Sequence, residues 1–281
     1  MLTSHAEVLS PRTLAEALAV KAHHPETVAL AGGTDLMVLI EANKLDPSRV
    51  LNLWGVAELR GLDAQDGWIR LGALTTWTEL IQSPLLADHA PALVEAARTC
   101  GAAQIRNRGT LGGNLANASP AGDSLPPLLA LDAVVELGSA RRGLRRVPIE
   151  RFFLGYRKTA LERDELITAI YLPARVDGDE TFFRKVGTRR AQSISKLSFC
   201  GRVRRQGGQV TLARLAFGAL GPVPLRAHTV EVALEGGPVR PQLAELLLND
   251  IRPIADVRST AEYRQRVAVN VLRGWLESLV G

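Results

Sequence analysis

Two glycine pairs with small polar neighbours carry most of the chemistry available to this sequence. The longer stretch is Asn107-Arg-Gly-Thr-Leu-Gly-Gly-Asn-Leu-Ala-Asn-Ala-Ser-Pro-Ala-Gly-Asp123. It joins Gly112 and Gly113 to the short side chains of Thr110, Asn114 and Ser119 and to one carboxylate, Asp123. Glycine lets backbone N–H groups come close to a ligand, and short hydroxyls and amides can then bind it. The shorter stretch, Ala31-Gly32-Gly33-Thr34-Asp35, lies well upstream. Two separated glycine turns suit a long ligand with a diphosphate in its middle, which points to a dinucleotide.

Each feature also has a plainer role. Gly32-Gly33 is either a tight connection between a strand and a helix or a seat for a diphosphate at that helix's N-terminus. It is not the three-glycine dinucleotide fingerprint, and no Gly-Lys-Ser/Thr follows it. Asp123 is either the N-cap of the apolar helix after it or an acceptor for a ribityl hydroxyl or a ring N–H. Lys185, beside Phe182 and Phe183, is either a solvated strand lysine or an ammonium facing the pyrimidine edge of a flavin. In the second role it would stabilise the negative charge gained on reduction. No nucleophile elbow, paired metal carboxylates or Cys–His nucleophile is visible. That pattern fits a redox cofactor, which brings its own chemistry.

Composition narrows the classes further. Cys100 and Cys200 are the only cysteines, so a four-cysteine iron–sulfur or zinc site within this chain is excluded. The five histidines have no metal-ligand spacing. With 281 residues, 46% hydrophobic and 22% charged, the chain can bury a real core and divide into two or three subdomains. No apolar run reaches the length of a membrane span, and residues 1–7 lack a basic head and an apolar signal core, so a cytoplasmic location is expected. The net charge of +5 is concentrated at Arg141-Arg142, Arg145-Arg146 and Lys185 with Arg189-Arg190. Aromatics do not interleave with these clusters, so solvated loop charge or a docking face for an acidic partner is favoured over nucleic acid.

The elements that must position these residues follow from periodicity and turn chemistry. Ser10-Pro11 caps a helix running to about His23. Val28–Ala31, the Gly32-Gly33 turn, a helix capped by Thr34 or Asp35, and Val50–Leu53 form a βαβ unit. Strands are expected at 59–62 and 68–73. Thr76-Trp-Thr-Glu79 is a capping box opening a helix that ends before Pro84, and 91–99 is another helix. The glycine- and asparagine-rich segment reads as a loop, followed by an apolar helix over 124–131. Strands at 134–137 and 165–172 flank a basic turn and the Phe152–Thr159 loop. Residues 173–180 are a linker. Beyond it, 181–186, 194–204 and 210–219 are strands, with Gln206-Gly-Gly-Gln209 as a hairpin turn. Helices over 226–234, 240–248 and 260–279 close the chain.

Taken together, these motifs resemble the FAD-binding subunits of molybdenum hydroxylases of the xanthine dehydrogenase and carbon monoxide dehydrogenase type. The resemblance spans the chain. It rests on Ala31-Gly-Gly-Thr-Asp-Leu, Thr110-Leu-Gly-Gly-Asn-Leu-Ala, Ala118-Ser-Pro-Ala-Gly-Asp123, Phe152-Phe-Leu-Gly-Tyr-Arg-Lys-Thr159, Lys185-Val-Gly-Thr-Arg-Arg190 and Ile254-Ala-Asp-Val-Arg-Ser-Thr-Ala-Glu-Tyr-Arg264. It implies an α+β protein: a two-subdomain FAD-binding domain of the vanillyl-alcohol oxidase (PCMH) type over 1–175, divided at 53/54, then a smaller C-terminal domain over 176–281 with an antiparallel sheet and helices. FAD would be the cofactor. Ala31, Gly32, Gly33, Thr34, Asp35, Thr110, Gly112, Gly113 and Asn114 would hold the diphosphate. Ser119 and Asp123 would contact the ribityl chain and ring, backbone near Leu166 the ring, and Lys185 its pyrimidine edge. The partners implied are an iron–sulfur subunit and a molybdopterin-binding large subunit, with NAD, oxygen or a quinone as acceptor. Arg106 and Arg108 are candidates for docking the iron–sulfur partner. The Tyr156-Arg-Lys-Thr159 and Thr188-Arg-Arg190 runs favour the xanthine dehydrogenase type. A stand-alone flavin reductase and a structural subunit without flavin are the alternatives.

Overall fold

Short apolar strands separated by glycine turns give three main sheets, and their packing sets the site. The computed structural model describes residues 6–189 and 192–280, so Arg190 lies outside the described residues. The first unit contains β1 (Glu7–Leu9), α1 (Leu14–His23), β2 (Val28–Leu30), α2 (Leu36–Glu41) and β3 (Arg49–Asn52). Its strands are parallel in the order β1-β3-β2, so the expected βαβ unit is present and has β1 as an extra strand. The cap of α1 is Thr13 rather than Ser10. Thr13 Oγ1 accepts from the Glu16 N–H, and the Glu16 carboxylate accepts from the Thr13 N–H.

The second unit adds β4 (Leu62–Gln65), β5 (Trp68–Gly72), α3 (Trp77–Gln82), α4 (Pro84–His89), α5 (Pro91–Thr99), α6 (Ala103–Arg106), α7 (Leu111–Asn117) and α8 (Leu125–Ala130). It is completed by β6 (Val134–Ser139), β7 (Gly143–Pro148), β8 (Phe153–Gly155), β9 (Lys158–Thr159) and β10 (Leu166–Pro173). The large sheet is antiparallel in the order β4-β5-β10-β6-β7. Instead of a strand over 59–62, Ala57–Leu59 forms a tight helical turn, and Gly61 at φ +93° interrupts the extended chain before β4.

The third unit contains β11 (Asp179–Val186), β12 (Leu197–Gln206), β13 (Gln209–Gly218), β14 (Leu225–Arg226), α9 (His228–Glu235), α10 (Leu247–Asp250) and α11 (Ala261–Val280). Its sheet is antiparallel in sequence order, with the expected turn at Gly207 and Gly208. Part of the expected linker is therefore strand. Asp179 anchors it, accepting from Arg202 Nη2 (2.7 Å) and Arg204 Nε (2.8 Å). The helix expected over 240–248 is instead a 3-10 segment, Pro241–Leu246, running into α10.

Both faces of this third sheet are covered, and strand alternation decides which residue faces which side. Phe199, Val203, Leu215 and Phe217 join the core beneath α9 and α11. Cys200, Ala216 and Phe183 face the other way, into the core of the second unit. Lys185 lies two residues beyond Phe183 in β11 and so shares the face turned toward α5. Among the described residues no helix is long and apolar enough to cross a membrane.

The segment 254–264 is tied down by a fully buried guanidinium. Arg264 donates to Lys196 O (3.1 Å), Ile254 O (2.6 Å) and Asp256 Oδ1 (2.7 Å). Burial pushes the Asp256 carboxyl up, but hydrogen bonds from Arg264 and the N–H groups of Arg258 and Ser259 outweigh it and hold the group at about 2. A carboxyl depressed in the folded state stabilises the fold above its unfolded pKa of 3.8, and this stabilisation is lost as pH falls towards about 2. In urea unfolding across that range, Asp256→Asn should flatten the acid limb relative to the parent. Parallel curves would show that this carboxylate plays no such part.

Candidate functional site

The first glycine turn offers a row of donors. Leu30 ends β2 and α2 begins at Leu36, so residues 31–35 must reverse direction within a few residues. Gly33 does this at φ +78°. Among the described residues, none accepts a hydrogen bond from the N–H groups of Gly32, Gly33, Thr34 or Asp35. Asp35 occupies the N-cap of α2 without a side-chain cap bond. With six residues α2 has little dipole to add, so the donors themselves carry the attraction for an anion. Gly32 lies against the backbone of the second segment. A Cβ there would sit 1.6 Å from Arg108 O and 2.4 Å from its carbonyl carbon.

The middle of the second segment, Leu111–Asn117, is a helix rather than a loop. Thr110 caps α7 through its Oγ1, which accepts from the Gly113 N–H at 3.1 Å, and Leu111 and Leu115 are both fully buried one turn apart. Burial of that stripe outweighs the poor helix propensity of the two glycines. The donors that a loop would have left open are also occupied. The N–H groups of Leu111, Gly112 and Asn114 go to Thr75 O, Ala73 O and Thr110 O. Gly112 is a packing glycine, because a Cβ there would meet Ala73 O at 2.7 Å. This segment therefore faces the ligand space with side chains, while the first turn faces it with backbone.

Ala31 to Asp35, Thr110, Gly113, Asn114, Ser119, Asp123 and Lys185 line one cavity of about 650 Å³. Its far end is built by Asp123 and Lys185. Asp123 is not the cap of α8: Ser124 takes the N-cap position, and the carboxylate turns the other way. Asp123 Oδ2 accepts from Lys185 Nζ at 2.5 Å and from Thr99 Oγ1 at 3.4 Å, while Oδ1 accepts from Ser195 Oγ at 2.5 Å. Lys185 Nζ also donates to Thr99 O at 3.2 Å. Both charged side chains are almost wholly buried. Burial raises the Asp123 pKa above the usual carboxylate value, and the Lys185 ammonium with the Ser195 and Thr99 hydroxyls only partly offsets it. Burial likewise pushes the Cys100 thiol up, so this cavity residue stays protonated.

Two predicted residues are set apart from the others at this end. Leu166 is not beside Lys185. With Gly112 it lines a smaller, mostly apolar cavity of about 350 Å³ among Leu53, Leu59, Leu74 and Leu161. Ala29, Ala31, Gly113 and Ala116 line both spaces, so the glycine turns lie between them. The arginines expected to face a partner are engaged within the chain: Arg106 donates to Gly101 O, and Arg108 stacks on Trp54 at 3.7 Å. Sequence reasoning missed Ser195, Thr99, Arg157 and Arg258. Arg157 and Arg258 stand in quoted motifs and line the cavity. Ser195 and Thr99 carry no local signal, since their partner Asp123 is 72 and 24 residues away.

The residues fit a dinucleotide with a diphosphate in its middle: unpartnered donors at a glycine turn, a polar charged end and an apolar end. Known proteins agree with that reading. Residues 4–175 match the family described as the FAD binding domain in molybdopterin dehydrogenase, and residues 182–279 the CO dehydrogenase flavoprotein C-terminal domain. A xanthine dehydrogenase FAD-binding subunit of Escherichia coli is 35% identical over 260 residues, covering 90% of this chain and 88% of that protein. The carbon monoxide dehydrogenase medium chain of Hydrogenophaga pseudoflava is 28% identical over 278 residues, covering 97% and 96%. A chain in a solved structure of carbon monoxide dehydrogenase from Hydrogenophaga pseudoflava superimposes with a TM-score of 0.92 at 29% identity, covering 98% of this chain and 96% of that one.

Proposed function

This chain belongs to the family of FAD-binding subunits of the molybdenum hydroxylases, and we propose that it passes electrons from iron–sulfur clusters in a partner polypeptide, through FAD, to an external acceptor. Its fold is the α+β FAD-binding type of that family, it is an oxidoreductase subunit, and FAD is its cofactor. The proposed division is an FAD domain over 1–175, itself split at 53/54, and a C-terminal domain over 176–281. One observation carries the reading: the unpartnered N–H row of Gly32 to Asp35 and the buried Asp123–Lys185 pair line the same cavity.

Bound FAD supplies a centre that takes up electrons and hands them on. The chain's own residues hold and tune it. The N–H groups of Gly32, Gly33, Thr34 and Asp35 bind the diphosphate, with Thr110 and Asn114 beside them. Lys185 and Asp123 face the ring end, the lysine opposing negative charge gained there, and Ser119 lies toward the ribityl chain. Leu166 lines the smaller, mostly apolar cavity, which would take the adenine. This differs from the ring contact implied by resemblance alone. The higher identity to the xanthine dehydrogenase subunit than to the carbon monoxide dehydrogenase chain supports a xanthine dehydrogenase-like complex, with NAD as the acceptor to try first.

The test is to purify the full chain, release its flavin and identify it. Reduction is then assayed with the chain alone and with its iron–sulfur and molybdenum partners. The expected result is FAD, reduced by substrate only in the complex. Turnover by the chain alone with NADPH would mark a stand-alone reductase, and a colourless protein that takes up no FAD would overturn the reading.

A further inference from the structure

The donors around Asp123 divide unevenly between the two halves of the chain. Thr99 comes from the end of α5, in the same unit as Asp123. Lys185 comes from β11, and Ser195 from the segment between β11 and β12, both in the C-terminal unit. Ser195 is 1% exposed, and its hydroxyl makes a short 2.5 Å bond to a carboxylate that already has an ammonium on its other oxygen. An aspartate directly before an apolar helix has an easy alternative, bonding to the helix's first N–H groups. Here it turns away from them. Of the three protons on Lys185, two go to Asp123 and Thr99, which leaves one for the cavity that Lys185 lines.

We propose that Ser195 is a positioning residue for the flavin: it fixes the Asp123 carboxylate so that Lys185 is held with its third proton directed into the cavity. The ring end of the site is then complete only when the C-terminal sheet is docked. That unit supplies both the lysine and the hydroxyl that fixes the lysine's counterion. The inference rests on the FAD reading above. The titratable and charged groups turned toward Asp123 are Lys185 from β11 and Cys100 at the end of α5, with Arg106 of α6 beyond the thiol. Removing the hydroxyl takes away one of the bonds that hold the carboxylate down against its burial, so Asp123 keeps its proton to higher pH.

The experiment compares FAD-loaded parent, Ser195→Ala and Ser195→Thr, measuring the midpoint potential of the bound flavin as a function of pH. In Ser195→Ala the potential should shift, and the pH at which its slope changes should rise. Ser195→Thr, which keeps a hydroxyl, should restore both. FAD affinity should fall roughly tenfold in the alanine variant, as expected for a lost hydrogen bond to a charged group. If that variant binds too weakly for potentiometry, the same pH midpoint is read from fluorescence titration with FAD. Superimposable potential and pH profiles for parent and Ser195→Ala would overturn the proposal. So would a shift that threonine fails to reverse. A parent that binds no FAD would instead remove the underlying reading, and the two failures are distinct.

Discussion

Gly32→Ala should weaken FAD binding severely while leaving most of the chain folded. The methyl group would lie 1.6 Å from Arg108 O and 2.4 Å from Arg108 C, and both are backbone atoms that no rotamer change can move. The segment around Arg108 is also braced, because its side chain stacks on Trp54, whose ring Arg60 covers as well. To admit a methyl group, the turn carrying the four unpartnered N–H groups must move away from α7. The donors would then lose their alignment with Thr110 and Asn114. Overpacking of this kind costs about 1–3 kcal/mol in a core. Here the displacement falls on the binding turn, so FAD affinity should drop about a hundredfold or more, a loss of roughly 3 kcal/mol. Equilibrium dialysis or fluorescence titration with FAD reads the affinity, and circular dichroism checks the fold. Binding equal to the parent's would mean that close approach at Gly32 is not what forms the diphosphate seat.

The second large effect is expected at the buried ion pair. Asp123→Ala leaves the Lys185 ammonium in a site that is 11% exposed, with its hydrogen bond to the Thr99 carbonyl but without its counterion. An uncompensated buried charge of this kind typically destabilises by about 3–5 kcal/mol. The same holds in reverse for Lys185→Ala, which strands a carboxylate held by Ser195 and Thr99. The paired variant Asp123→Leu/Lys185→Met removes both charges and keeps the volume, and it should recover most of the lost stability. FAD binding should stay poor in all three, because neither the lysine donor nor the carboxylate acceptor is left at the ring end. Urea unfolding of the flavin-free chain separates stability from binding. If the double variant is as unstable as the singles, the cost lies in packing and not in an unpaired charge.

Much of this site is legible along the chain because its pieces are local. Gly32-Gly33 between an apolar strand and an apolar helix predicts a βαβ turn, and the parallel pairing of β2 with β3 bears this out. The hairpin at Gly207-Gly208 and the capping box at Thr76 and Glu79 are likewise set by residues within four positions of one another. Reading the glycine- and asparagine-rich segment as loop throughout failed at Leu111–Asn117 because propensity was weighed without burial. Leu111 and Leu115 fold that stretch as a helix once a core is there to receive them, and the N–H groups that a loop would have offered then go to Thr75 O, Ala73 O and Thr110 O. The strand of Leu166 was legible too, but sequence spacing does not say which of two cavities a residue lines, and here it is the smaller one.

Composition and motif spacing by themselves determined the class of ligand, the absence of a four-cysteine cluster in this chain, and the residues that could meet a dinucleotide. Only the tertiary structure decided that Asp123 is not a cap, since capping and facing a ligand space are equally open to an aspartate before an apolar helix. The choice falls to Lys185 and Ser195, 62 and 72 residues further on, brought in by a sheet whose alternation points Lys185 at α5. Capping energies act over one helical turn and are written in neighbouring residues. The energy of a buried charge depends on whatever surrounds it in three dimensions, and no run of neighbouring residues encodes that.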